Sequence, residues 1–332
     1  MFENPLKIGI IGSGSWATAI AKMILKNVDH IYWHFRKTEN IERFKHTKRN
    51  PNYLSSVKFD TDHITFSNDI NEVVKNSDAI IWASPSAFLK NYLSELTVPL
   101  SNKLIISAIK GLVPDENQII GGYFHEKYNV PLDHIIVLSG PCHAEEVALE
   151  RLSYITVACQ NLKQARQFST NIQCSFVKTT ITDDIYGTEY AAVLKNVMAI
   201  ASGICHGLGY GDNFQAVLIS NAIQEIKRFV DTVHPIMRDI KSSAYLGDLL
   251  VTSYSQFSRN RTFGTMIGKG YSVKSAQFEM LMIAEGYYSA KSIKESNEKY
   301  KVNMPITDAV YNILYEGISP AIEIKLLTEE LR

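Results

Sequence analysis

Short apolar runs alternate with amphipathic stretches through the first half of the chain. Residues 6–11, 31–35, 79–83, 104–108, 135–138, 154–158 and 176–179 form such runs, most of them rich in Ile and Val. Runs of this length suit strands buried on both faces of a parallel sheet. Between them, 16–27, 69–75 and 144–150 carry the periodicity of connecting helices. From about Asp184 the strand-like runs vanish and helical periodicity takes over. It predicts helices over 188–206 and 213–234, separated by the GLGYG stretch at 207–211, with Pro235 ending the second. Further helices fit 244–253, 275–282, 289–300, 304–315 and 320–328. The expected fold is α/β: a Rossmann-type doubly wound sheet over residues 1–185, followed by an all-helical domain over 186–332.

Composition narrows the function classes. Thirty-four Lys and Arg balance 34 Asp and Glu in 332 residues, and 45% of the chain is hydrophobic. That balance excludes a disordered chain, and it argues against a nucleic-acid partner, which needs clustered excess cations. The basic run Arg43 to Arg49 is interrupted by Phe44, His46 and Thr47 and reads as a solvated helix face. Cys142, Cys159, Cys174 and Cys205 show neither C-x-x-C pairs nor metal-ligand spacing, so free thiols of a reducing compartment and no metal are expected. The first residues lack a signal-peptide pattern, and no apolar stretch reaches bilayer length. A cytoplasmic protein without membrane insertion is the expectation.

The clearest chemical motif follows the first apolar run. Gly12, Gly14 and Ala17 form the G-x-G-x-x-G/A pattern between a strand and a helix. Gly12 permits the tight turn, Gly14 lets backbone approach a diphosphate, and Ala17 lets helix and strand pack closely. The helix N-terminus then offers N–H groups to the phosphates. The acidic residue that grips a ribose 2′-OH in NAD-preferring proteins is missing between Asp29 and Glu39, and Arg36 stands in that window. An arginine there suits a 2′-phosphate or the adenine face, so NADP is favoured, with NAD still open.

Lys195 interrupts the apolar stretch AAVLKNVMAIA, where small residues at helical spacing leave room for a ligand or another helix. A desolvated lysine is suited to proton transfer, and a lysine snorkelling from a helix edge is the plain alternative. The segment 246–264 carries Asp248, Thr252, Ser258, Arg259, Asn260 and Arg261, groups that suit a small phosphate dianion, or else a polar loop. Lys110 and the turn SGPCHAE (139–145) follow apolar strands, where doubly wound sheets bind ligands. His143 and His206 have no nearby partner in sequence and read as structural or surface residues.

Taken in order, GSGSWATAIA, SPS at 84–86, IKG at 109–111, SGPCHAEE, LKNVMAIASG, GDLLVT, SRNR and AEG at 284–286 resemble the bacterial NAD(P)-dependent glycerol-3-phosphate dehydrogenases over nearly the full chain. The resemblance implies reduction of dihydroxyacetone phosphate to sn-glycerol 3-phosphate, feeding glycerophospholipid synthesis. It implies Lys195 as proton donor and acceptor, with Asp248 holding the lysine or a substrate hydroxyl. Cofactor positions fall on Ser15, Trp16, Arg36, Lys110, Ala144, Arg259, Ile283 and Glu285, beside Gly12 and Gly14. Substrate positions fall on Lys110, Gly140, Cys142, Lys195, Asn196, Asp248, Thr252, Ser258, Arg259 and Asn260. Ala17 replaces the commoner third glycine, Cys142 replaces the usual Ser or Thr, and AEG stands where VEG is common. A homodimer is expected, because helical second domains of this kind often self-associate.

Two rival readings predict different behaviour. A two-domain reductase of the β-hydroxyacid or 6-phosphogluconate dehydrogenase type also carries a lysine on the first helix after its Rossmann domain, although SRNR and IKG argue against it. A dinucleotide-sensing protein without turnover would bind cofactor and leave it unoxidised by any substrate.

Overall fold

The computed structural model describes residues 5–280 and 284–332. They divide into two compact units: residues up to Ile109 together with Ile120–Ile185, and Lys110–Ile119 together with Tyr186–Arg332.

The first unit is built on strands β1 (Ile8–Ile11), β2 (Ile31–His34), β3 (Ile64–Ser67), β4 (Ala79–Trp82), β5 (Leu104–Ser107), β6 (Ile135–Ser139), β7 (Ser153–Ala158) and β8 (Val177–Thr182). They lie in the order β3-β2-β1-β4-β5-β6-β7-β8. The first six are parallel and reverse direction of growth at β1, the doubly wound arrangement whose crevice lies beyond the strand carboxyl ends. The strands β1, β4, β5 and β6 are buried throughout. Their unbroken Ile-rich runs are the consequence of helices packing on both faces.

Two features of the sheet depart from the sequence expectation. The strand β3 lies in no apolar run, since Thr65 and Ser67 alternate with Ile64 and Phe66. As an edge strand it is buried only at Ile64 and Ser67, and its half-buried Phe66 stacks on Trp33 and meets Phe44. The strand β7 runs antiparallel to β6, with Ser139 opposite Thr156. The link between them holds one helix of five residues, Ala144–Ala148. That helix rises about 7.5 Å against about 17 Å for a strand, and β7 starts from the end where β6 finished.

Among the described residues seven helices flank this sheet: α1 (Ser15–Ile24), α2 (Thr38–Thr47), α3 (Ile70–Lys75), α4 (Leu89–Ser94), α5 (Ile120–Tyr128), α6 (Ala144–Ala148) and α7 (Leu162–Ile172). The second unit is helical: α8 (Ile185–Gly207), α9 (Asp212–Val233), α10 (Asp248–Tyr254), α11 (Arg259–Gly268), α12 (Val273–Glu279), α13 (Glu285–Tyr300), α14 (Pro305–Leu314) and α15 (Pro320–Glu330). Its core gathers Leu194, Met198, Ile204, Leu218, Phe229, Phe263 and Ile306 with Leu112 and Ile119. Among the described residues no helix is long and apolar enough to cross a membrane, and no group of three His, Cys, Asp or Glu is placed to hold a metal.

The helix α11 occupies a segment that reads as polar in sequence. It forms because Ser258 caps it, accepting from the Arg261 amide, and because it packs backbone to backbone on α8. A Cβ on Gly264 would lie 2.1 Å from the Ile200 carbonyl oxygen, and one on Gly203 would lie 2.1 Å from that of Arg261. Glycine at both positions brings the start of α11 beside Lys195 and Asn196 on α8.

Candidate active site

In the first unit, β1 ends in the turn Gly12–Ser13–Gly14. Gly12 has φ +114°, and a Cβ there would meet the Ala83 carbonyl oxygen at 2.6 Å. No other residue type fits that position. A Cβ on Gly14 meets nothing within 4 Å, so space is open above the first turn of α1. That turn has neither a capping side chain nor an acidic residue. The buried Ser84 hydroxyl, beside Gly12 at the end of β4, has no hydrogen-bond partner among the described residues. Open space, uncapped N–H groups and a spare hydroxyl fit the diphosphate of a dinucleotide.

Arg36 follows β2 and is exposed. Its guanidinium lies 5.6 Å from the centre of the Phe88 ring and 5.7 Å from that of Tyr92. Two aromatic faces thus hold the cation at the sheet edge without consuming its donors in an ion pair. Ala144 opens α6, and the carbonyl of Ala148 at its far end accepts from Lys22 Nζ at 2.7 Å. Gly140 has φ +114°. The Cys142 thiol is buried and donates to the Gly140 carbonyl at 3.1 Å, folding this residue onto its own turn.

In the second unit a single carboxylate organises the polar residues. Asp248, 1% exposed, accepts a hydrogen bond from Lys195 Nζ on Oδ1 and faces Lys110 Nζ at 3.6 Å with Oδ2. Lys195 is itself 4% exposed, whereas the Lys110 side chain keeps 20% of its surface. The paired charge explains how an ammonium is tolerated inside an apolar helix stripe. Asp248 opens α10 directly after the single π-turn Ser243–Gly247, which lies within the stretch expected as regular helix.

Beside this pair runs a chain of amides. The Lys110 carbonyl accepts from Asn196 Nδ2, Asn196 Oδ1 from Asn260 Nδ2, and Asn260 Oδ1 from the Gly286 amide, each at 2.9 Å. A Cβ on Gly286 would lie 2.5 Å from the Asn196 carbonyl, which accounts for the glycine in AEG. Each asparagine therefore spends half of its amide on structure and retains one N–H. Thr252 and Ser258 are likewise engaged: Thr252 Oγ1 donates to the Asp248 carbonyl at 2.6 Å, and Ser258 Oγ caps α11. Arg259 opens α11 with an exposed side chain, and Glu285 opens α13 half-buried. Ile283 lies outside the described residues.

One network has no trace in the sequence reading. Ser202, seven residues after Lys195 on α8, donates to Gln215 Oε1 at 2.8 Å and is within 3.1 Å of the Ser253 carbonyl on α10. Gln215 Nε2 returns a bond to the Ser202 carbonyl at 3.0 Å. This buried knot pins α10, and so Asp248, to the helix that carries Lys195. His143 precedes α6, and His206 is exposed in the last turn of α8.

Residues 7–165 match the model of the NAD-dependent glycerol-3-phosphate dehydrogenase N-terminus, and residues 184–325 match that of its C-terminus. The chain belongs to the NAD-dependent glycerol-3-phosphate dehydrogenase family. A glycerol-3-phosphate dehydrogenase (NAD(P)+) of Pelotomaculum thermopropionicum is 31% identical, over 97% of this chain and 93% of that protein. One from Agathobacter rectalis is 34% identical over 93% of this chain and 92% of its own. Among solved structures of the family, glycerol-3-phosphate dehydrogenase from Coxiella burnetii superposes with a TM-score of 0.90 at 26% identity, covering 98% of this chain and 99% of that one. The fold reaches beyond the family: D-mandelate dehydrogenase shares it at a TM-score of 0.59 and 16% identity, over 97% of this chain and 99% of that one.

Proposed function

We propose that this chain reduces dihydroxyacetone phosphate to sn-glycerol 3-phosphate with NADPH or NADH, in the cytoplasm and as a homodimer, and so supplies glycerophospholipid synthesis. Family membership sets the reaction class. The observation that carries the mechanism is the buried Lys195–Asp248 pair.

Lys195 is the proton donor. Its ammonium, held by Asp248, hydrogen-bonds the C2 oxygen of the substrate and gives it a proton as negative charge develops there. In the reverse direction the neutral amine takes the proton from the C2 hydroxyl. When bound, the reduced dinucleotide supplies the hydride that C2 accepts, chemistry that belongs to the cofactor. Gly12, Gly14, Ser15, Trp16, Arg36, Lys110, Ala144, Arg259, Ile283 and Glu285 are the proposed cofactor residues.

Gly140, Cys142, Asn196, Thr252, Ser258, Arg259 and Asn260 are the proposed substrate residues, with Lys110, Lys195 and Asp248. The spare N–H groups of Asn196 and Asn260 and the guanidinium of Arg259 suit phosphate oxygens, so this group orients C2. Cys142 and Thr252 act through the backbone they fix, since their side chains already donate to carbonyls. NADPH is the favoured cofactor, because the Arg36 guanidinium can pair with a 2′-phosphate.

A substrate panel tests the reading. Dihydroxyacetone phosphate should oxidise NADPH, while unphosphorylated dihydroxyacetone and the keto product of a β-hydroxyacid dehydrogenase should not. Oxidation by the keto acid would favour the rival reductase class, and binding without oxidation would favour a sensor. Light scattering of the purified chain reads the oligomeric state.

A further inference from the structure

We propose that Asn50 is a positioning residue for the dinucleotide: it holds the carbonyl side of the Gly12–Ser13–Gly14 turn away from the diphosphate, so that the turn meets the anion with N–H groups. The inference rests on the dinucleotide reading above and concerns a residue 36 positions beyond Gly14.

Each carbonyl of the turn accepts from a buried side chain. Trp33 Nε1 donates to Gly12 at 2.8 Å, Asn50 Nδ2 to Ser13 at 3.0 Å, and Thr18 Oγ1 to Gly14 at 2.8 Å. A second Asn50 bond, from Nδ2 to Thr18 Oγ1 at 2.8 Å, fixes the hydroxyl so that its own proton points to Gly14. The Gly14 carbonyl also accepts from the Thr18 amide at 3.0 Å, so the Asn50 amide holds the Ser13 carbonyl directly and adds to the hold on Gly14 only through the Thr18 hydroxyl. A carbonyl oxygen turned toward a phosphate repels it, and an amide N–H turned toward it attracts. Backbone that already has its carbonyls occupied needs no reorganisation when the anion arrives.

The other half of the side chain anchors Asn50 itself. Its Oδ1 accepts from the Asn52 amide at 3.0 Å and the Tyr53 amide at 3.2 Å. Asn50 is 1% exposed, so both ends of the amide are spent inside the protein. Only a side chain with a donor and an acceptor at this spacing satisfies both ends. Aspartate would retain the acceptor contacts to Asn52 and Tyr53. It would set an acceptor against the Ser13 carbonyl and add negative charge beside the turn.

The test uses the full chain as wild type, Asn50→Asp and Thr18→Val, with binding followed directly. The ligands are NADPH, ADP-ribose, which carries the diphosphate without nicotinamide, and adenosine 2′-monophosphate, which lacks the diphosphate. Asn50→Asp should weaken NADPH and ADP-ribose by about tenfold or more, and Thr18→Val by about threefold. Adenosine 2′-monophosphate should change by less than about twofold, and KM for dihydroxyacetone phosphate at saturating NADPH should not move. Equal weakening of all three ligands, or unchanged NADPH binding in both variants, overturns the inference. If Asn50→Asp fails to fold, the same ligand pattern in Thr18→Val decides. Wild-type protein that binds neither NADPH nor ADP-ribose would overturn the dinucleotide reading itself, a result separable from failure of the Asn50 assignment alone.

Discussion

The carboxylate of Asp248 is shared between two ammonium groups, bonding Lys195 on one oxygen and facing Lys110 at 3.6 Å with the other. The two partners are unequal, because Lys195 is buried while Lys110 reaches the surface. Removing the carboxylate leaves Lys195 as an uncompensated buried charge. Asp248→Asn should therefore cost about 3 kcal/mol of stability and most of the turnover. Lys110→Met should cost under about 1 kcal/mol, since water screens that side chain. Urea unfolding of both variants compares the two losses, and equal losses would contradict the asymmetry.

The packing of α11 on α8 makes a second prediction. Ala at Gly264 would drive its Cβ into the Ile200 carbonyl, and only movement of the whole helix relieves that contact. Gly264→Ala should cost about 1–3 kcal/mol and, by moving Asn260 away from Asn196, lower kcat as well. Gly211→Ala, where nothing lies within 4 Å, should cost under about 1 kcal/mol and leave kcat unchanged. Thermal melts with steady-state rates on the same preparations provide the check.

Arg36 sits against Phe88 and Tyr92 with its fork available. Arg36→Ala should raise KM for NADPH by roughly tenfold and leave that for NADH nearly unchanged, because one charge-assisted contact is lost. Added salt should shrink the difference, since the site is exposed. Equal losses for both cofactors would mean that the guanidinium reads the adenine.

Glu225 yields a pH dependence. Burial pushes its carboxyl up to about 7, against the opposing pull of bonds from the Thr307 hydroxyl and the Ile306 and Thr307 amides. Its folded-state value lies above the ordinary carboxylate range, so the native protein binds the proton more tightly than the unfolded chain. The contribution is fully present below about pH 4.5 and is lost as pH rises through about 7, at most about 3 kcal/mol. Glu225→Gln has no proton to lose there. Its stability relative to wild type should therefore improve from pH 5 to pH 8, and a difference independent of pH would contradict the assignment.

How far the sequence reveals this molecule depends on which interactions are local. Seven strands show as runs in the sequence, β1, β4, β5 and β6 because burial on both faces demands them, while β3 hides behind Thr65 and Ser67. Lys195 stands out as an ammonium in an apolar helix, whereas Asp248, 53 residues away, is reached as its partner only through the family resemblance and not through periodicity. The helix α11 is invisible to propensity, since Gly264 and Gly268 weaken it and only close contact with α8 explains them. Asn50 reads as a turn residue before Pro51, and its four hydrogen bonds exist only once Ser13, Thr18 and its own loop are brought together. The grouping of Lys110–Ile119 with the helices is likewise tertiary, resting on Leu112 and Ile119 in the helical core.

The central claim is that the buried Lys195 ammonium protonates the substrate oxygen. Turnover of NADPH with dihydroxyacetone phosphate, measured for wild type and Lys195→Met, tests it most directly. Methionine keeps the length and packing of the side chain and removes the proton. The account predicts a kcat at least about a hundredfold lower, with NADPH binding retained. A variant turning over at nearly the wild-type rate would contradict it.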